Sequence, residues 1–524
     1  MNLHQKNPVG QPRVTSLNDR AVFHHHPDEM QRYEQADERW YRQVKETKRD
    51  GTGAGSLSTP IVPQRVANHN PESHRRKEAC RVTDPLLGDT KDSLKPENVY
   101  TKQQRIAMLA RQMPEVSFMS LSHHIDIEWM REAYRKTRKD GAAGVDGLTA
   151  GQYEKNLEVN LRSLLDRLKS GTYQAPPVKR VYIPKEGKPG EERPIGIPTL
   201  EDKVLQRAVL MLLEPLYEQE FIDGSYGFRP KRSAHMALET IWHETMDMKE
   251  CWVVEVDIRK YFDTLMHSHL RAFVKRRVCD GVITRTLGKW LKAGVMEQGS
   301  VSYPEDGCPQ GGVISPLLSN IYLHEVLDKW FEGTIVPRLQ GRAKLVRFAD
   351  DFVVLFNSER DARRFAAVLP KRFEKYGLKL HPEKTRLLQF SKPRKDEKSE
   401  TFDFLGFTYY WGKSRKGNRV VQRKTAKDRL KRSIKRIYQW CKANRHNPIR
   451  EQWQTMCRKV RGHYGYFGIT GNYRTLAGYF LQVKRAWHKW LNRRSRGNQL
   501  PWELFVKLLE RYPVPNPRIV HQYA

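Results

Sequence analysis

The sequence predicts an α+β fold, and three patterns predict it. Helical periodicity runs from about residue 100, a central stretch alternates short apolar strands with helices, and helical periodicity returns beyond about 411. In the central stretch, "LVRFADDFVVLF" (345–356) sets two β-forming apolar runs on either side of Asp350 and Asp351. Charges are almost never buried unless paired or bound to metal, so that acid pair needs a reason.

Residues 1–95 are polar and rich in Pro, Gly, Asn and His, and "GTGAGSLSTPIVP" (51–63) has the composition of a linker. This region reads as a flexible N-terminal extension with one local helix from Pro27 to Lys48. Its "HHH" (24–26) lacks companion ligands, and the region is assigned no chemistry. From about 100, "TKQQRIAMLARQM", "IEWMREAYRKT" and "NLEVNLRSLLDRLKSG" (156–171) have amphipathic helical spacing, the last ending at Gly171. "PVKRVYIPKEGKPGEERPIGIP" (177–198) alternates as a β-hairpin around a Gly/Pro-rich turn. "TLEDKVLQRAVLMLLEPLYEQEF" (199–221) is apolar enough for a buried helix. Next come the strand "WVVEVDI" (252–258), the two strands around Asp350–Asp351, and the helix "ERDARRFAAVLPKRFEKYG" (359–377). Beyond 411 the pattern reads as helical throughout, in three stretches at 426–444, 450–468 and 473–495. The division is thus 1–95, 96–245, 246–411 and 412–524.

At 524 residues the chain is long enough for several cores. Its 94 Lys and Arg against 60 Asp and Glu give a formal charge of +34, which favours a polyanionic partner. From Trp411 to Ala524 there are 28 Lys or Arg and 4 Asp or Glu, a net of +24, with six of the twelve tryptophans. Clustered cations among aromatics suit a groove that follows a nucleic-acid backbone, although residue by residue these aromatics are better read as a helical core. The six cysteines (Cys80, Cys251, Cys279, Cys308, Cys441, Cys457) are scattered without a CxxC pair, so zinc ribbons and disulfide frameworks are not indicated. A reducing intracellular compartment is expected. The polar N-terminus and the lack of a long apolar run suggest neither a signal peptide nor a membrane span.

Adjacent side chains on a straight strand face opposite ways. At a hairpin tip, however, both acids can sit at the edge of a sheet, with "LVRF" rising and "FVVLF" returning. Asp is common in turns, so "DD" alone implies no more than a turn. Asp257 ends another apolar strand in "VVEVDIRKYFDTL" (253–265). If that strand lies beside the hairpin, Asp257 and Asp350 converge with Asp351 nearby. Gathered carboxylates repel unless cations bind, and Mg²⁺ suits a site of few carboxylates, water and substrate phosphates. Two such ions about 3.5–4 Å apart can clamp the oxygens of an in-line phosphoryl transfer.

"FADD" (348–351) resembles the Y/F-x-D-D box of reverse transcriptases, and Asp257 with Phe262 resembles their D-x-x-x-x-F/Y element. "GCPQGGVISPLLSNIYL" (307–323) is similar to their P-Q-G motif. "RPIGIPTLEDKVLQ", "YGFRPKRSAHMAL", "LKLHPEKTRLL", "FDFLGF" and "RGHYGYFG" follow the order of group II intron-encoded reverse transcriptase/maturases, over roughly 100–524.

The resemblance implies a right-hand polymerase: fingers (96–245), a palm with a small antiparallel sheet (246–411), and an all-α basic thumb/maturase domain (412–524). It implies Asp257, Asp350 and Asp351 as catalytic carboxylates holding two Mg²⁺ ions with the Ile258 carbonyl. Phe262 is then the steric gate against a 2′-hydroxyl, with Gln310 and Gly311 against the incoming deoxynucleoside triphosphate. Lys185 and Arg193 flank the hairpin over the triphosphate, Lys384 falls where a lysine is proposed to protonate pyrophosphate, and Leu405–Gly406 grip the primer end. The implied partners are an RNA template, a structured intron RNA and a DNA primer or target, with no membrane. Two departures stand out: Phe348 replaces the usual Tyr, and the chain ends soon after the helical stretch, where many relatives carry an H-N-H endonuclease. Two rival readings are a splicing maturase whose polymerase site is unused and an intron-free reverse transcriptase of host defence or repair.

Overall fold

The computed structural model describes residues 98–184, 190–248, 250–297, 299–303, 306–307, 311–393, 399–414, 416–495, 497 and 499–522. The expected N-terminal extension, its Pro27–Lys48 helix and the triple histidine lie outside the described residues.

Helices α1 (Val99–Gln112) and α2 (Ile127–Lys136) begin where Asn98 and Asp126 side chains accept hydrogen bonds from the N–H groups of Thr101 and Trp129. After the short α3 (Ala150–Glu154), α4 (Leu157–Ser170) stops at Gly171, whose φ of 78° is the left-handed conformation that closes a helix. The expected hairpin is β1 (Val178–Pro184) and β2 (Glu192–Ile197), antiparallel from Lys179↔Ile197 to Pro184↔Glu192. Helix α5 (Leu200–Tyr217) is buried along most of its length, as its apolar composition requires. There follow α6 (Ala234–Asp247), β3 (Trp252–Val256), α7 (His267–Lys275), α8 (Gly281–Leu291), β4 (Val295–Glu297) and β5 (Ser300–Ser302). Helix α9 (Ser315–Leu323) continues into π-helical turns at His324–Asp328 and Phe331–Ile335.

Strands β6 (Ala343–Phe348) and β7 (Asp351–Phe356) carry the acid pair, followed by α10 (Glu359–Glu374) and β8 (Arg386–Gln389). They form an antiparallel sheet in the order β6-β7-β3-β8. Both faces of this sheet are covered. Val254, Leu345, Phe352, Val354 and Phe356 join the main core with α5, α9 and α10. The alternate residues Val253, Val346, Val353 and Leu355 face a second core built with α6 and a three-stranded sheet. Double-sided burial explains why these strands read as continuous apolar runs rather than alternating ones. β2-β1-β4-β5 is a separate sheet in which β1 and β4 pair in parallel.

The expectation of helix throughout from 411 is corrected by the structure. β9 (Phe402–Phe404), β10 (Phe407–Lys413) and β11 (Arg419–Thr425) make the three-stranded sheet, so the boundary at 411/412 falls inside β10. The paired alternation of "FTYYWGK" and "RVVQRKT" is a strand signal, interrupted by the cations interspersed in this stretch. The helices begin at α11 (Lys427–Ala443), then α12 (Ile449–Phe467), α13 (Tyr473–Leu491) and α14 (Trp502–Arg511). Their core is Ile437, Met456, Val460, Leu476, Trp487 and Phe505. Several aromatic faces there carry the chain's own cations, such as Lys489 over Tyr438 and Lys459 over Trp440. Among the described residues no helix is long and apolar enough to cross a membrane.

Candidate nucleotidyl-transfer site

Strand register decides where the three aspartates go. Phe348 pairs with Asp351, so the β6–β7 turn consists of Ala349 and Asp350, and Asp351 is the first residue of β7. The tip therefore holds one acid in the turn and one on the strand. Val256 pairs with Phe352 in the β3–β7 ladder, so Asp257, one residue beyond β3, lies opposite Asp351. Asp257 and Asp351 line one cleft of about 410 Å³ together with Lys384 and Asp403.

The electrostatics show that the acids sense one another. Asp351 keeps an open edge to solvent, yet the protein packed around its carboxyl, and then the charges of Asp350 and Asp257, push its pKa up to about 6. Asp350 is also raised, first by burial and then by Asp257, against the opposing charges of Arg193 and Arg347. The hairpin residue Arg193, exposed on β2, thus reaches the field of the acid turn.

Ile258 follows Asp257 in an extended segment bridged to Leu380. The Asp257 carbonyl accepts from the His381 N–H at 2.8 Å, and the Arg259 N–H donates to the Lys379 carbonyl at 2.8 Å. Because the peptide is trans, the Ile258 carbonyl points the other way, toward β7. The same pairing delivers Lys384, whose ammonium forms an ion pair with Asp257. The donors gathered here are carboxylate and carbonyl oxygens, a set that fits a hard divalent cation.

Tyr261 takes the buried place and donates its hydroxyl to the Ser319 carbonyl at 2.8 Å. Phe262 is left half-buried beside it, ring edge to face. Gly311, at φ 113°, lies so close to β2 that an added Cβ would meet the Gly196 carbonyl oxygen at 2.4 Å. Glycine is thus required where the chain passes this close to the hairpin. Leu405 (φ 49°) and Gly406 (φ 80°) are the two-residue turn between β9 and β10, both left-handed. Tyr466 of α12 donates its hydroxyl to the Leu405 carbonyl at 2.8 Å, and the Ala426 N–H donates to Gly406 at 2.9 Å. Lys185 and Gln310 lie outside the described residues.

The chain is similar to several known proteins. The family model for reverse transcriptase (RNA-dependent DNA polymerase) matches residues 183–409. Protein YkfC of Escherichia coli K12 is 38% identical over 354 residues, 61% of this chain and 90% of that protein. The group II intron-encoded protein LtrA of Lactococcus lactis is 40% identical over 198 residues, 38% of this chain and 32% of its own length. The chain belongs to the group II intron-encoded reverse transcriptase/maturase family. Nuclear intron maturase 2 of Arabidopsis thaliana is also similar, at 30% identity over 173 residues, 26% of this chain and 23% of that protein.

Within this family framework, the chain holds its acid turn with residues that motif reading did not single out. Arg347, fully buried on β6, forms a two-point ion pair with Asp328, its Nε and Nη2 at 2.9 and 2.6 Å from the carboxylate oxygens. Its Nη1 donates to the Asn320 side chain at 3.0 Å and to the Ala349 carbonyl at 3.1 Å. Asn320 donates in turn to the Gly227 carbonyl at 2.8 Å. Gly227 backs the turn so closely that a Cβ there would lie 2.2 Å from the Ala349 nitrogen. Ala349 sits at φ 58°, which costs a non-glycine residue about 1–2 kcal/mol; this network opposes that cost. Of these, only Arg347 left a signal in the sequence: a cation inside an apolar run.

A second acidic group comprises Glu220, His324 and Glu325, whose ligand atoms lie within 4.8 Å of one another. Arg277 pairs with Glu220, and Arg276 and Lys329 pair with Glu325, so protein cations already balance it.

Proposed function

We propose that the chain is an RNA-directed DNA polymerase of right-hand architecture that also binds structured intron RNA, assisting its splicing and copying it into DNA. Residues 96–245 act as fingers, the stretch from 246 through the β9–β11 sheet as palm, and the helices from Lys427 onward as the thumb/maturase region. One observation carries the reading: the β3–β7 register sets Asp257 opposite Asp351, with Asp350 in the adjoining turn.

Asp257, Asp350, Asp351 and the Ile258 carbonyl would hold two Mg²⁺ ions. When bound, such ions acidify a primer 3′-hydroxyl and neutralise charge on the phosphates. The chain's own residues do the rest. Arg193 offers a forked, permanent cation to the triphosphate, and Lys185 a compact one. Phe262 lies under the sugar and excludes a 2′-hydroxyl, while Gln310 and Gly311 lie against the incoming nucleotide. The Leu405–Gly406 turn, fixed by Tyr466, positions the primer end. Lys384 carries a transferable proton beside Asp257 for the departing pyrophosphate. A maturase with an unused polymerase site could lose its acids, whereas all three are kept here, and that favours the enzyme.

Extension of a DNA primer on an RNA template with Mg²⁺ tests the reading. The wild type incorporates deoxynucleotides, and Asp350→Ala abolishes incorporation while RNA binding survives; an Asp350→Ala protein that still extends removes the carboxylate assignment. For the basic helices, RNA affinity falls roughly 10³-fold or more between 50 and 200 mM salt, given six or more phosphate contacts. A flat salt response, read by filter binding, would leave those cations a solubilising role only.

A further inference from the structure

Segment 222–232, between α5 and α6, contains a conformation that folding alone does not ask for. Phe228 is held at φ 58°, a region disfavoured for any side chain with a Cβ, while its ring is 55% exposed. A bulky apolar residue in solvent returns little burial for that strain, and glycine or asparagine would suit the backbone better.

The surroundings enforce the strain. On its N-terminal side, Ser225 bridges to Arg347 of β6, the Tyr226 N–H donates to the Arg347 carbonyl at 2.8 Å, and Gly227 is pressed against Ala349 of the acid turn. On its C-terminal side, Arg229 is buried. Its guanidinium pairs with Glu218 and donates to the carbonyls of Ile222 and Ser225 at 2.7 and 2.8 Å. Phe228 is therefore fastened through both neighbours, one residue from the backbone that carries Asp350. Lys231, also exposed and left-handed at φ 59°, adds a cation to the same loop. Strain maintained by a rigid frame, presenting an aromatic to solvent, is typical of a ligand contact.

We infer that Phe228 is a stacking surface for a nucleobase of the template–primer at the acid turn. The inference rests on the polymerase reading above and adds to it a base-contacting residue. An exposed ring stacks on any base without regard to sequence, and the adjacent Lys231 supplies charge for the backbone. Either strand can present such a base; the chemistry is shared, and the experiment separates the two.

The test places 2-aminopurine at successive template positions, or at the primer end, in a template–primer bound without nucleotide. Stacking on the wild type quenches its fluorescence at one position, and that position names the strand. Phe228→Tyr keeps the quench. Phe228→Leu and Phe228→Gly lose it, and template–primer affinity weakens by roughly tenfold. The Phe228→Gly protein melts no lower than the wild type, because its backbone strain is relieved. Quenching that persists in Phe228→Leu, or a Phe228→Gly variant that is destabilised yet binds and extends normally, overturns the inference and leaves a packing role. A wild type that shows the quench but no extension defeats the polymerase reading instead, since the fluorescence reports binding without chemistry.

Discussion

Asp328→Ala lowers the unfolding free energy by about 3–5 kcal/mol, because it leaves the Arg347 guanidinium buried and unpaired. Both side chains are fully excluded from solvent, so water cannot take the place of the lost partner. Urea denaturation followed by circular dichroism measures the loss. The pH dependence follows from the carboxyl. Burial alone would raise the Asp328 pKa, but the Arg347 charge and its two hydrogen bonds to the carboxylate outweigh it and hold the pKa below its usual value. A depressed pKa contributes stability that is fully present above the unfolded value, about 3.9. That stability disappears as pH falls through the lower folded value. The gap between wild type and Asp328→Ala is therefore constant at neutral pH and narrows only in strong acid. The double variant Arg347→Met/Asp328→Leu restores folding, since an apolar pair can replace a buried ion pair. It still extends primers poorly, because neither Asn320 nor the Ala349 carbonyl then has its donor. Full activity in the double variant would show that the pair serves stability alone.

This network also marks the limit of what the sequence reveals. The helices and the β1–β2 hairpin were legible because periodicity and turn residues are local properties of the chain. The acid hairpin was legible because two apolar runs around "AD" have few other solutions. Its register was not: a two-residue turn is normally announced by Asn-Gly or Gly, whereas here Ala349 adopts the left-handed position under tertiary force. Arg347 reads as one polar residue on a strand, and its partner lies nineteen residues upstream in a π-helical turn that no spacing rule anticipates. β10 and β11 escape a reading of the sequence because Lys413, Arg419, Arg423 and Lys424 interrupt their apolar alternation, although Arg423 is buried in the fold. The meeting of Asp257 with Asp351 depends on β3 inserting between β7 and β8, a pairing of distant segments. Motif order could anticipate that meeting; periodicity could not.

Asp351→Asn abolishes primer extension, by a factor of at least about 10³, the scale on which a single electrostatic group acts at a reacting centre. The same change makes the protein more stable when no divalent cation is present. The two effects have one cause. Burial and the charges of Asp350 and Asp257 raise the Asp351 pKa to about 6, so its ionised form is disfavoured in the folded protein. A raised carboxyl pKa makes stability fall as pH climbs from the unfolded value toward 6 and stay lower above it. At pH 7.5 the wild type therefore carries a repulsion that the neutral amide removes, and the melting temperature of Asp351→Asn exceeds that of the wild type in EDTA. Adding Mg²⁺ reverses the order, because a ligand that binds only the folded state raises its stability, and the wild type retains the charges to bind it. Differential scanning fluorimetry with and without Mg²⁺ reads the crossover. If Mg²⁺ raises both melting temperatures equally, Asp351 is not a ligand, and its charge is held at the cleft for some other purpose.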